Sequence, residues 1–222
     1  MTTALFQPLR VRSLELKNRI VIAPMMQHAA PGGFANNWHL VHLGKFAMGG
    51  AGLILTESTA VSPVGRIGQD DVGLWEDAHV APWKTVVDFV HQCGSAIGAQ
   101  LGHAGRKAGS KALWESGRAL TEQEMKEADP RWSRIGPSAI PAGEGWSTPH
   151  ALTLEEIEQV IQEFASAAQR ADQAGFDVVE LHFGHGYLVT SFLSPISNQR
   201  TDAYGGDREG RMKLAIEIAQ RV

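Results

Sequence analysis

One junction recurs three times in this chain of 222 residues: "FAMGGAGLILTE" (46–57), "VHQCGSAIGAQ" (90–100) and "ADQAGFDVVELHF" (171–183). Each reads as a helix end, then glycine, then a short apolar run. Glycine supplies the left-handed conformation that stops a helix. The run after it is nearly continuous in apolar residues, the pattern of a parallel strand covered on both faces. A fourth run, "NRIVIAP" (18–24), comes first with no helix before it.

Helical periodicity fills the gaps, over Asn37 to Met48, Ala81 to Gln92 and Thr153 to Ala174. The last opens on Thr153-Leu-Glu-Glu156, a capping box. Pro82 suits a first helical turn. The order is therefore βαβαβ, a long insertion, then αβα, which predicts an α/β fold with a parallel sheet and right-handed crossovers. Residues 104–150, rich in Gly, Pro, Trp and charge, read as an excursion that caps one end of the sheet.

Two architectures fit that order. A doubly wound dinucleotide fold carries G-x-G-x-x-G after its first strand, and here the first strand runs into "APMMQHAAPGG". A (β/α)8 barrel fits better, because polar residues fall at the C-terminal ends of the strands: Glu57, Gln100, His103, Glu180 and His182. Barrel active sites lie on that face. A complete barrel needs eight strands and about 250 residues. This chain offers about the first four βα units, with the excursion after the third strand. Its final "REGRMKLAIEIAQRV" reads as an amphipathic helix. Residues 1–222 are thus expected to be the N-terminal part of one longer barrel domain.

The stretch "ELHFGHGYL" (180–188) concentrates the chemistry. Strand alternation puts Glu180 and His182 on one face. Gly184 and Gly186 let the chain turn, so that His185 and Tyr187 come over the strand end beside His182. Two imidazole donors at one point can hold an oxygen that gains negative charge, and a phenol beside them can deliver a proton. Ordinary satisfied polar groups would also account for histidines at strand ends. A metal site needs three or four ligands, and this stretch offers two with a hydroxyl.

The formal net charge of −4 leaves no basic footprint for nucleic acid. Apolar runs fall short of the roughly 20 residues that span a bilayer, and the first residues lack the apolar segment of a signal peptide. Cys93 is the single cysteine, so no internal disulfide forms, and a cytoplasmic, reducing compartment is expected.

Four segments together resemble the Old Yellow Enzyme family of FMN-dependent oxidoreductases, especially its bacterial ene-reductase branch: "LKNRIVIAPM" (16–25), "GGAGLILTESTAVSPVGRI" (49–67), "QLGHAGRKA" (100–108) and "AGFDVVELHFGHGYLVTSFLSPISNQRTDAYGGDREGR" (174–211). The resemblance implies an eight-stranded barrel with bound FMN. Hydride passes from NADPH or NADH through the flavin to an activated alkene such as an α,β-unsaturated carbonyl. By position it implies that Ala23, Pro24, Met25 and Met26 line the isoalloxazine, with Ser58 and Gln100 also in contact. His182 and His185 match the pair that binds the substrate oxygen, and Tyr187 the proton donor. His28 falls at a substrate-positioning place. Arg200 lies in the strongest block with no assigned chemistry, and Arg106 and Lys107 are expected to be structural or to pair with acids of the excursion. The resemblance also implies a homo-oligomeric parent. It puts the phosphate anchor in the loops after the last strands, so these residues by themselves are expected to hold FMN weakly or not at all.

Two positions depart from the family pattern. Met26 stands where cysteine or threonine is usual, which implies an altered flavin potential, although a thioether can also act as plain filler. His28 stands where tyrosine is common, and its charge varies near neutral pH. Both departures bear on substrate range. Two alternatives stay open: a non-catalytic or truncated half barrel, and the N-terminal part of a multidomain iron–sulfur flavoenzyme of the dienoyl-CoA reductase type.

Overall fold

A computed structural model describes residues 3–112 and 114–222. The chain starts with an antiparallel hairpin, β1 (Leu9–Val11) and β2 (Leu14–Leu16), which the sequence patterns did not announce. Then come β3 (Val21–Ile22), α1 (Asn37–Met48), β4 (Leu53–Ala60), α2 (Val80–Gln92) and β5 (Ala96–Gly102). The excursion carries α3 (Glu122–Ala128), β6 (Ile135–Gly136) and β7 (His150–Ala151). After it follow α4 (Leu154–Ala174), β8 (Val178–Leu181), α5 (Leu188–Leu193) and α6 (Arg208–Arg221).

The main sheet has the order β3-β4-β5-β8, parallel throughout. Each strand lies beside the next one in the chain, with no reversal of order. A doubly wound sheet reverses at its switch point, and a barrel does not, so the sheet is part of a (β/α) barrel. Helices α1, α2 and α4 are the crossovers, and α2 packs against both α1 and α4. Buried Val86, Val87 and Val90 of α2 and Ile157, Ile161 and Phe164 of α4 share one core with Ile54 and Ile97 of the sheet.

The Thr153 capping box forms as expected: its side chain accepts the Glu156 N–H, and Glu156 accepts the Thr153 N–H. Gly94 and Gly175 take positive φ at their junctions, 69° and 90°. The first junction differs. Gly49 stays in the right-handed region, and Gly50 at φ 89° makes the turn. With two glycines in a row, the reversal moved one residue outward.

The excursion builds a second small core from Ala104, Ala108, Leu120, Met125 and Trp132, with Ile67 and Tyr187 packed on it. Buried Arg134 donates to the carbonyls of Ala108, Gly109 and Leu120 and so binds the segment to itself. No helix among the described residues is long and apolar enough to cross a membrane.

Candidate active site

Strand register aligns the first part of the site. Ser58 pairs with Gln100, and Gln100 with Glu180, so three strands offer their polar residues in one row. Gln100 Nε2 donates to Glu180 Oε2 at 3.0 Å. Two residues further along β5, Gly102 keeps the space between Ser58 and His182. A Cβ there would stand 2.7 Å from Ser58 Oγ and 3.5 Å from His182 Cβ.

A break in the β4–β5 register between Leu55 and Ser58 accommodates Glu57. Glu57 was expected as a polar group at the strand mouth. It is instead buried, with Oε2 accepting the Gln27 N–H at 2.8 Å and Oε1 3.3 Å from His39 Nε2. His39 Nδ1 accepts the Asn36 N–H, so the Nε2 that faces Glu57 carries the proton. The Gln27 side chain donates to the carbonyls of Met25 and Met26 and accepts from Trp38 Nε1. Glu57 and Gln27 together fix the segment after β3.

The second part is the turn after β8. His182 N–H donates to the Leu101 carbonyl at 2.8 Å, which ends the ladder. His185 then takes φ 56° and Gly186 φ 74°. A left-handed histidine costs free energy, and two side chains hold it. Thr190 Oγ1 donates to the carbonyls of Phe183 and Gly184, and Lys107 Nζ donates to the His185 carbonyl at 2.7 Å. Arg106 likewise donates to carbonyls, those of Ile140 and Pro141. Neither side chain pairs with an acid of the excursion, because backbone oxygens face them.

The result is convergence. His185 Nδ1 lies 3.1 Å from His182 Nε2, and the Tyr187 ring stands edge-on to both. Burial, then the neighbouring His185, lowers the His182 pKa from its ordinary value, against the opposing charge of Glu180. His182 is therefore neutral at neutral pH. Burial and the charge of Asp71 raise the Tyr187 pKa, so the phenol keeps its proton.

A cavity of about 290 Å³ collects Ala23, Pro24, Met26, Ser58, Gln100, His182, His185 and Tyr187, with Ile67 closing one side. That volume is at the low end of the roughly 300–1,000 Å³ of small-molecule sites. Met25 stays outside this lining and is 41% exposed. His28 lines an adjoining hollow of about 220 Å³ instead, with Trp114. Ile67 ends the segment 49–67 that carries the family resemblance, but as one apolar residue in a loop it was assigned no role there. A larger hollow of about 710 Å³ along Thr201–Gln220 contains none of these residues.

The NADH:flavin oxidoreductase / NADH oxidase family matches residues 4–222. The chain belongs to this family. Similar curated proteins include the NADH:flavin oxidoreductase FG08077 of Gibberella zeae, 44% identical over 98% of this chain and 52% of that protein. An NADPH dehydrogenase of Bacillus cytotoxicus is 42% identical over 100% of this chain and 59% of its own length. Among solved structures, morphinone reductase superposes with a TM-score of 0.86 at 34% identity, over 99% of this chain and 58% of that one. The Old Yellow Enzyme from Pichia sp. AKU4542 gives 0.83 at 34% identity, over 99% and 56%. The chain thus spans between half and three fifths of the length of these relatives. The resemblance drawn from the sequence is borne out at the level of family and fold.

Within this family member, Lys107 is a long-range support for the histidine pair. Lys107→Met removes the donor to the His185 carbonyl while keeping the stem. We expect His185 to leave its left-handed conformation, because one of the side chains that hold its turn is gone. Histidine NMR checks this; unchanged His185 ring shifts would refute the role.

Proposed function

We propose that these residues form the substrate side of an FMN-dependent NAD(P)H oxidoreductase that reduces activated alkenes of the α,β-unsaturated carbonyl type. The observation that carries it is the meeting of His182 Nε2 and His185 Nδ1 at 3.1 Å beside Tyr187, in a cavity walled by Ser58 and Gln100. The lining suits a flat heteroaromatic ring. Ala23, Pro24 and Met26 supply an apolar face, and the Gln100 amide and Ser58 hydroxyl supply both donor and acceptor character. Bound FMN would supply hydride, taken from reduced nicotinamide and delivered to the β-carbon of the alkene.

The chain's own residues do the rest. A carbonyl oxygen seated at the imidazole pair replaces the ring-to-ring contact and accepts from both rings, once the ring that had been the acceptor shifts its proton to the facing nitrogen. As hydride arrives at the β-carbon, charge develops on that oxygen, and the two donors stabilise it. Tyr187, protonated at neutral pH, gives its proton to the α-carbon and recovers one from solvent. One hydride and one proton together saturate the double bond. Met26, which lines the cavity, would offer bound FMN a polarizable thioether where a donor is usual in the family.

Titrating the chain into FMN is expected to quench flavin fluorescence. NADPH or NADH should then bleach the bound flavin anaerobically, and an enone should restore its colour. Unquenched fluorescence at millimolar protein, with no bleaching, would rule the reading out for this chain.

A further inference from the structure

Asp71, which no sequence pattern singled out, is 1% exposed and stands directly behind His28. Its Oδ1 lies 2.7 Å from His28 Nδ1, and its Oδ2 accepts the Gly68 N–H at 2.6 Å. The contact is close without being aligned as a hydrogen bond, and at 2.7 Å the charge of the ionised carboxylate favours the imidazole proton on Nδ1. That leaves Nε2, on the far edge of the ring, as the only polar atom His28 can offer to a ligand. In the neutral ring it is an acceptor, and in the protonated ring a donor.

The hollow that His28 lines is continuous in sequence with the cavity of the histidine pair. Met26 lines the cavity and His28 the hollow; Ile67 lines the cavity and Gly68 the hollow. Trp114 stands edge-on to the His28 ring at 5.4 Å and is 69% exposed, giving a flat apolar wall. The charged groups around His28 are Asp71, Asp70 and Glu57, with Lys111 and Glu115 lining the hollow and Arg66 acting on Asp71 from its pair with Asp129. Carboxylates outnumber cations there, which disfavours an anionic ligand group.

We propose that Asp71 is a positioning residue that fixes the tautomer and charge of His28, so that protonated His28 selects substrates carrying a second, neutral hydrogen-bond acceptor remote from the alkene, such as a further carbonyl or an ester. This rests on reading the adjoining cavity as the alkene-reducing site. Close pairing with Asp71, and the charges of Asp71, Glu57 and Asp70, raise the His28 pKa against the effect of burial. The donor state therefore extends upward from acid into the neutral range, and it is lost as pH rises through the raised value.

Two readouts test the proposal. The first is an NMR titration of the His28 ring in the whole chain. The wild-type midpoint is expected above the ordinary 6.5, and Asp71→Asn should lower it. Gly68→Ala provides a second variant that keeps the carboxylate. Its Cβ would stand 2.8 Å from His28 Nδ1 and 3.3 Å from Asp71 Oδ1, wedging the pair apart without a strained backbone. A midpoint unmoved by both substitutions overturns the proposal.

The second readout is KM for a neutral enone bearing a remote ester, from pH 6 to pH 9, in the FMN-loaded protein. KM should rise about tenfold as the donor is lost, kcat should change less, and His28→Gln should abolish the dependence. The same pH dependence in His28→Gln overturns the selection role. Asp71-dependent titration of His28 with no flavin-linked turnover at any pH would overturn the alkene-reduction reading, and the substrate selection with it, while leaving the pairing itself established.

Discussion

Alanine at both His182 and His185 is expected to lower kcat/KM for an α,β-unsaturated ketone by about 10²–10⁴-fold in the FMN-loaded protein. Removing one donor from a developing oxyanion costs roughly 10²–10³-fold. The two rings act as one unit, so the double loss falls short of the product of the singles. The size of the effect depends on position, since the two nitrogens lie 3.1 Å apart. It also depends on charge, since His182 is held neutral by burial, and a neutral ring donates through a single N–H. Stopped-flow reoxidation of the pre-reduced flavin by the ketone isolates the step concerned. A double variant within threefold of wild type would remove the histidines from the chemistry and leave the cavity to some other ligand.

Gly105→Ala should unfold the protein at markedly lower temperature, and the reason lies in how the end of β5 meets the start of α5. Gly105 has φ 60°, and a Cβ on it would stand 2.7 Å from Leu188 Cα and 2.9 Å from Leu188 N. That backbone cannot yield cheaply, because Leu188 N–H donates to the His103 carbonyl at 3.0 Å and Leu188 is fully buried. Overpacking and a disfavoured φ together cost about 2–4 kcal/mol. For a chain of this size that is a fall of roughly 4–16 °C in Tm. Tyr187 immediately precedes Leu188, so the same displacement should reach the proposed proton donor and reduce turnover in what remains folded. Gly143→Ala is the control, since nothing lies within 4 Å of a Cβ there, and its expected change is within about 0.5 kcal/mol. Equal melting temperatures for the two variants would show that the approach of Leu188 is not as close as described.

The three helix–glycine–strand junctions were legible because stop signals and apolar runs are local: each needs only its own dozen residues. The same holds for the Thr153 capping box, which closes within one turn of α4. The run at 18–24 was less exact. Among the described residues only Val21 and Ile22 of this run enter the ladder, pairing with β4, and the residues that follow turn into the cavity wall. Most of the cavity lining followed from family motifs, and the structure brings those residues together except Met25, which is exposed, and His28, which lines the neighbouring hollow.

By itself, then, the sequence determined the order of the four strands of the main sheet and their crossover helices, the parallel sense of that sheet, the family, and the turn that brings His185 back over His182. Those depend on periodicity, glycine placement and motif, and each is written in contiguous residues. Tertiary structure alone decided that Glu57 turns inward to hold Gln27, that Lys107 reaches the His185 carbonyl across 78 residues, and that Asp71 stands behind His28. A carboxylate or an ammonium carries no periodicity that names its partner. Which polar group satisfies it is fixed only when the folded backbone brings one within about 3 Å and closes off the water that would otherwise have served.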